Sequence, residues 1–69
     1  MKNPKKEARS KIKEAREKMG WTQEYLATIT GVSRVYINKL ETGEIKNPGI
    51  KNCKEIAYAL GLKLEQIWK

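Results

Sequence analysis

The sequence predicts an all-α fold, a compact bundle of five short helices in one domain. Apolar residues recur at intervals of three and four residues in several segments, as they do along one face of a helix. No stretch alternates apolar and polar residues with the period of two that a half-buried strand needs. Glycines at 20, 31, 43 and 61 follow helical patterns, where they can adopt the left-handed conformation that ends a helix. At 69 residues the chain is near the lower size limit for a domain without disulfides.

The first helix is predicted from Pro4 to Met19. Its apolar positions are separated by four, three and four residues and form one narrow stripe that we expect to be buried: Ala8, Ile12, Ala15 and Met19. We expect residues 1–7 to be a basic, flexible arm and residues 8–69 to form the folded domain. Lys2, Lys5 and Lys6 of this arm could contact a nucleic-acid backbone or could serve only to keep the chain in solution.

Residues 22–43 contain two helical patterns separated by a short turn. Thr22 and Ser33 are favourable N-cap residues, and Glu24 lies in the first turn, where the helix dipole favours a carboxylate. Gly31 ends the first pattern and Gly43 ends the second. Two helices joined by so short a turn must cross steeply. This is the helix-turn-helix geometry, which presents its second helix to the major groove of DNA.

The second of these helices, Ser33–Thr42, has two different sides when it is rotated by about 100° per residue. One side is apolar and contains Tyr36, Ile37 and Leu40. The opposite side contains Arg34, Val35, Asn38, Lys39 and Thr42. Side chains of these types read base edges: Arg or Lys hydrogen-bonds to guanine, Asn hydrogen-bonds to adenine, and an apolar group contacts the methyl group of thymine. The alternative is a charged helix face that is merely solvated.

Two further helices follow a break at Asn47-Pro48-Gly49. The fourth has an apolar stripe and ends at Gly61; the stripe consists of Ile50, Cys53, Ile56, Ala57 and Leu60. The fifth lies within Leu62–Lys69 and offers Leu64, Ile67 and Trp68 for burial. We interpret Cys53 as a small core residue, because it lies on the apolar stripe.

Composition argues against several classes of protein. With one cysteine and no histidine, the chain cannot form an internal disulfide, a zinc site or a cysteine–histidine catalytic pair. We therefore predict no catalytic residue, no metal and no cofactor. No apolar run approaches the roughly 20 residues of a membrane span, and we expect a cytoplasmic protein. The formal net charge of +7 makes a polyanionic partner plausible, and residues 1–18 contain eight basic residues against three acidic ones.

Several short motifs together resemble a known family. They are Arg16, Thr22-Gln23, Leu26-Ala27, Gly31 to Ser33, Ile37, the LETG ending of the third helix, Pro48, and ALGL at Ala59 to Leu62. Over Ile12 to Trp68 the chain resembles the phage repressor and Cro-type helix-turn-helix proteins, the Xre family. The resemblance implies a five-helix bundle that binds double-stranded DNA as a homodimer and regulates transcription. It also implies a bacterial or phage-encoded protein associated with the nucleoid.

The resemblance also assigns individual residues to DNA. Arg34, Val35 and Lys39 match the usual base readers, and the rotation of the helix adds Asn38. In the family, the residue that corresponds to Gln23 contacts phosphate and the first residue of the recognition helix. We expect further phosphate or supporting contacts from Thr22, Ser33, Tyr36, Thr42 and Lys46. The chain departs from the family at two N-caps, where Gly49 and Lys63 replace the expected Ser or Thr; a glycine cap costs a few tenths of a kcal/mol.

Glu41 is unusual, because the helix dipole disfavours a carboxylate in the last turn of a helix by roughly 0.3–1 kcal/mol. Arg16 matches the family arginine that pairs with this glutamate, so we predict a structural pair; the alternative is an exposed, unpaired Glu41. A single recognition helix covers only a few base pairs, so a homodimer on a two-fold operator is expected. Tyr58 and Trp68 are the predicted dimer contacts.

The sequence thus predicts a sequence-specific transcriptional regulator, most simply a repressor, that inserts the helix Ser33–Thr42 into the major groove. Prophage repressors, restriction-modification controllers and the antitoxins of toxin–antitoxin pairs all fall within this class. An RNA- or protein-binding module on the same bundle is the alternative. An enzyme is disfavoured, because the sequence has no carboxylate pair, activated nucleophile or phosphate-binding glycine loop.

Overall fold

The computed structural model describes residues 4–45 and 48–67, with side chains from residue 11 onward. Over these ranges the structure is all-helical, with five helices: α1 (Pro4–Lys18), α2 (Gln23–Thr30), α3 (Arg34–Thr42), α4 (Ile50–Leu60) and α5 (Leu64–Ile67). The predicted fold class is therefore confirmed. None of these helices is long and apolar enough to cross a membrane. The proposed arm begins in residues 1–3, outside the described residues, and its boundary at residue 7 stays a prediction.

The turn between α2 and α3 is set by local chemistry. Thr22 Oγ1 accepts a hydrogen bond from the Tyr25 backbone N–H at 2.9 Å, and Ser33 Oγ accepts one from the Tyr36 N–H at 3.1 Å. Both side chains thus satisfy backbone donors that the first turn of a helix leaves unpaired. Gly31 ends α2 with a φ of 76°, in the left-handed region that favours glycine. The three residues between α2 and α3 therefore hold the two helices in a fixed crossing.

One hydrophobic core joins all five helices. α1 packs against α3, α4 and α5, while α2 packs against α3 and α4. The core side chains are Ile12, Leu26, Val32, Ile37, Leu40, Cys53, Ile56, Ala57, Leu60 and Ile67. Cys53 is fully buried among them, as predicted. This packing fixes α3 on its apolar side and leaves its other side to solvent.

Two residues of the predicted apolar stripes are not buried. Met19 and Ile50 are each 44% exposed. The predicted burial of the first stripe was therefore wrong at Met19, and the stripe of α4 is exposed at its first residue. Both lie where a helix ends: α1 stops at Lys18, and Ile50 is the first residue of α4. Helical spacing continues through such positions in the sequence, but at the helix end no adjoining element covers the side chain.

The two unusual N-caps behave differently. Gly49 caps α4 without a side-chain hydrogen bond. At α5 the Lys63 backbone N–H donates to Gln66 Oε1 at 2.8 Å. Gln66 is the third residue of α5, and its bond to the Lys63 N–H is one of the two hydrogen bonds of a capping box. This bond compensates for the lysine at the N-cap position.

Candidate nucleic-acid interface

The side of α3 that faces away from the core carries the predicted base-reading residues. Arg34, Val35, Asn38, Lys39 and Thr42 are all exposed there, and we call this set the outer face of α3. Val35 is 54% exposed although it is apolar. Ile37 and Leu40 are fully buried on the opposite side, and Tyr36 is half-buried between the two. The structure thus places every predicted base reader on one exposed surface.

A buried ion pair attaches the end of α3 to α1. Arg16 Nε donates to Glu41 Oε2 at 2.8 Å, and Arg16 Nη2 donates to Glu41 Oε1 at 3.1 Å. The two residues are only 8% and 7% exposed. Arg16 Nη1 also donates to the Trp21 carbonyl oxygen at 2.7 Å, so the guanidinium ties together α1, the loop before α2 and α3. The predicted pair is therefore present, in the bidentate geometry that favours arginine over lysine.

The pair has an electrostatic consequence for Arg16. Its hydrogen bond to Glu41 raises the pKa of the guanidinium above the ordinary value, and the negative charge of Glu41 acts in the same direction. Burial opposes this shift but is outweighed. The guanidinium therefore stays charged at every pH at which the fold is expected to operate.

Gln23 extends this buried pair to the outer face of α3. It is the first residue of α2 and is half-buried. Its Nε2 donates to Glu41 Oε1 at 3.0 Å and to Asn38 Oδ1 at 3.4 Å. The resemblance had implied a contact with the first residue of α3, Arg34, whereas the side chain here bonds to the fifth and eighth residues. Asn38 and Glu41 are three residues apart and are neighbours on α3, so one amide can reach both. The sequence spacing does not show that this amide belongs to Gln23, because that depends on how α2 crosses α3.

The predicted phosphate contacts that the structure describes differ in their local roles. Thr22 and Ser33 use their hydroxyl oxygens as caps, and Thr42 donates its hydroxyl to the Lys39 carbonyl oxygen at 3.1 Å. The Tyr36 hydroxyl accepts a hydrogen bond from the Gly49 N–H at 3.0 Å and so links α3 to the start of α4. Lys46 lies outside the described residues.

Tyr58, one of the two predicted dimer contacts, lies on α4 and not on α3. Tyr58 is 83% exposed on α4, on the side opposite the buried Cys53 and Ile56. Trp68 lies outside the described residues. Trp21 is half-buried against the core, and its ring centroid is 5.2 Å from that of Tyr25. Within the described part of the chain, no group of three or more acidic, cysteine or histidine side chains could hold a metal ion.

Comparison with known proteins agrees with this geometry. A family model described as helix-turn-helix matches residues 12–67, which is most of the chain. The chain belongs to the Xre/Cro-type helix-turn-helix family. An uncharacterized HTH-type transcriptional regulator of Archaeoglobus fulgidus is 43% identical to this helix-turn-helix chain over 60 residues, which cover 87% of the chain and 83% of the relative.

A second relative is a much longer protein. The glutamine–fructose-6-phosphate aminotransferase (isomerizing) of Methanocaldococcus jannaschii is 32% identical to the helix-turn-helix chain over 59 residues. The match covers 86% of the chain but only 5% of the aminotransferase. No solved structure gives a significant match.

Proposed function

We propose that this helix-turn-helix protein is a sequence-specific transcriptional repressor that inserts α3 into the major groove of double-stranded DNA and binds a two-fold operator as a homodimer. It acts on chromosomal DNA in the cytoplasm by occupying a promoter or operator. Arg34, Val35, Asn38 and Lys39 read bases. Thr22, Gln23, Ser33, Tyr36, Thr42 and Lys46 position the domain on the phosphate backbone.

The observation that carries this proposal is the outer face of α3. It combines two cations, an amide and an apolar group, all exposed on one rigid helix. These are the groups that hydrogen-bond to base edges or contact the thymine methyl in the major groove. Glu41, the one acid in the α3 sequence, is buried in its pair with Arg16 and presents no negative charge to a phosphate backbone.

The relatives support regulation more than catalysis. The Archaeoglobus fulgidus relative, which the chain covers for most of its length, is named as a transcriptional regulator. The match to the aminotransferase covers one short segment of that enzyme. We therefore propose that the shared segment is a helix-turn-helix domain and that the chain has no enzymatic activity. Control of a restriction-modification system and an antitoxin role are compatible with the same operator-binding mechanism.

Selection of bound fragments from a random double-stranded DNA pool tests this function. A two-fold sequence with half-sites about one helical turn apart is the expected product. Arg34→Ala and Lys39→Ala should each weaken binding to that site by about 1–3 kcal/mol and relax specificity at one base pair. Lys13→Ala is the matched control, because it removes an exposed lysine of α1.

Two results would contradict the proposal. Full affinity for the selected site in both Arg34→Ala and Lys39→Ala would mean that the outer face of α3 does not read DNA. Failure to enrich any DNA sequence, together with enrichment from a matched RNA pool, would favour the RNA-binding alternative.

A further inference from the structure

The orientation of the Asn38 amide follows from the hydrogen-bond chain that begins at Arg16. Glu41 accepts hydrogen bonds from the Arg16 guanidinium through both of its carboxylate oxygens, and a carboxylate can only accept. The Gln23 atom that contacts Glu41 must therefore be the amide nitrogen. That nitrogen carries two protons, and the second is directed to Asn38 at 3.4 Å. The Asn38 atom that faces Gln23 must consequently be its oxygen.

The residues of this series of hydrogen bonds prevent the Asn38 amide from adopting the reverse orientation. Arg16 is held by Glu41 and by the Trp21 carbonyl oxygen, and Glu41 is buried. If the Asn38 amide were turned by 180°, its NH₂ group would face the NH₂ group of Gln23, and two donors would be opposed. Gln23 could not turn to relieve this, because its own oxygen would then face the carboxylate of Glu41. The buried charge thus determines the orientation of an exposed amide.

We propose that Gln23 is a positioning residue that sets Asn38 to read its base pair as a hydrogen-bond donor, with guanine preferred over adenine. With Oδ1 directed at Gln23, Asn38 presents the two protons of Nδ2 to the groove. In the major groove guanine offers two acceptors, N7 and O6, whereas cytosine offers only the donor N4. Adenine is normally read by an asparagine that accepts from N6 and donates to N7 together, and the oxygen for the first bond is turned away here.

This inference rests on the proposed function, since it assigns the base preference of one of its reading residues. It differs from the expectation for an asparagine considered alone, which is adenine. It also gives Gln23 a role in addition to the proposed phosphate contact, because its amide protons are directed at Glu41 and Asn38.

The test is selection of double-stranded fragments with the wild type and four variants. Asn38→Ala identifies the base pair that Asn38 reads. At that pair the wild type should favour guanine over adenine by about tenfold, a ratio in the range expected for one well-placed side chain. Gln23→Met removes the amide at nearly constant length, frees the Asn38 amide to turn and should reduce the ratio to about twofold or less. Other base pairs should keep their preferences.

A third variant provides an independent readout on an exposed side chain. Asn38→Asp leaves one carboxylate oxygen to accept from Gln23 and presents the other to the groove as an acceptor. The preferred base should then change to cytosine, whose N4 donates. Gln66→Met is the matched control: it removes another half-buried glutamine amide, at α5, and should leave every base preference as in the wild type.

The outcomes separate the inference from the proposed function. No enriched site for the wild type would overturn the proposed function and this inference with it. An enriched site at which the wild type favours adenine, or at which Gln23→Met keeps the guanine preference while losing affinity evenly, would overturn the inference alone. If Gln23→Met does not fold, Asn38→Asp decides, and retention of guanine there overturns the inference.

Discussion

Among single residues, Glu41 connects the candidate interface to the rest of the domain, because it bonds to Arg16 of α1 and to Gln23 of α2. A carboxylate near the C-terminal end of α3 is disfavoured by the dipole, and burial disfavours it further. Both costs are offset because Glu41 accepts hydrogen bonds from Arg16 and Gln23. The intact pair therefore adds little net stability. Removal of one partner is costly, because it leaves an uncompensated charge in the interior.

Replacement of Glu41 by alanine should consequently be severe. Glu41→Ala leaves the Arg16 guanidinium buried without its carboxylate, and breaking such a pair costs about 3–5 kcal/mol. This is comparable with the total stability expected for a core of this size, so the variant should be largely unfolded near room temperature. Urea titration followed by circular dichroism measures the loss.

The control for this variant is a surface ion pair on α1. Lys18 Nζ and Glu14 Oε1 are 3.3 Å apart, and both side chains are exposed. Glu14→Ala should cost about 0.3–0.5 kcal/mol, the usual value of an exposed i,i+4 pair. Equal losses in Glu14→Ala and Glu41→Ala would show that the buried pair has no special role.

The pH dependence of the pair follows from the raised pKa of Arg16. A group whose pKa is raised by folding contributes stability that is complete below its unfolded pKa, which for arginine is strongly alkaline, and that is lost as the pH rises through the folded value. The difference in unfolding free energy between the wild type and Glu41→Gln should therefore be the same at pH 7 and pH 9.5. If this difference shrank toward pH 9.5, the guanidinium would be losing its proton there, which would contradict a raised pKa.

At the scale of the helices, substitution of two flanking glycines, Gly31 and Gly49, should change the stability in opposite directions. Gly31 has a φ of 76°, and a Cβ there would meet no atom within 4 Å, so Gly31→Ala is opposed by the backbone conformation alone. The cost should be about 1–2 kcal/mol. Gly49 has a φ of −68° and lacks a side-chain cap, so Gly49→Ser can add one and should gain a few tenths of a kcal/mol.

Thermal unfolding measures both changes. In a domain of this length, 1 kcal/mol corresponds to about 4–8 °C in melting temperature. Gly31→Ala should therefore melt several degrees below the wild type and Gly49→Ser slightly above it. A melting temperature of Gly31→Ala above that of the wild type would contradict the requirement for a left-handed residue between α2 and α3.

Helix boundaries and the buried side of α3 were predictable because their causes are local. Thr22, Ser33 and Gly31 act through bonds and backbone angles within a few residues. Burial at helix ends was not predictable in the same way: Met19 and Ile50 follow the helical spacing, but the elements that could cover them are distant in sequence. The bond from Gln23 to Asn38 also depends on how α2 crosses α3, which periodicity does not specify.

For the whole molecule, the main prediction concerns dimerisation. One recognition helix contacts only a few base pairs, so high specificity requires two domains on adjacent half-sites. Tyr58 is 83% exposed on α4, and tyrosine is a frequent contributor to interface energy because its ring buries a large area while its hydroxyl bonds. Since α4 packs its other side into the core, a dimer formed through Tyr58 would leave the outer face of α3 uncovered.

Tyr58→Ala should therefore weaken dimerisation without altering the reading of a half-site. Its affinity for the full two-fold operator should fall by about tenfold or more, as expected for an interface hot spot, while its affinity for an isolated half-site stays at the wild-type value. Sedimentation at micromolar concentration, with and without operator DNA, measures the association directly. Tyr25→Ala is the matched control, because Tyr25 is also an exposed tyrosine but lies on α2. This variant should sediment as the wild type does. A wild type that remains monomeric on the operator would contradict the dimer, and a Tyr58→Ala variant as dimeric as the wild type would place the interface elsewhere.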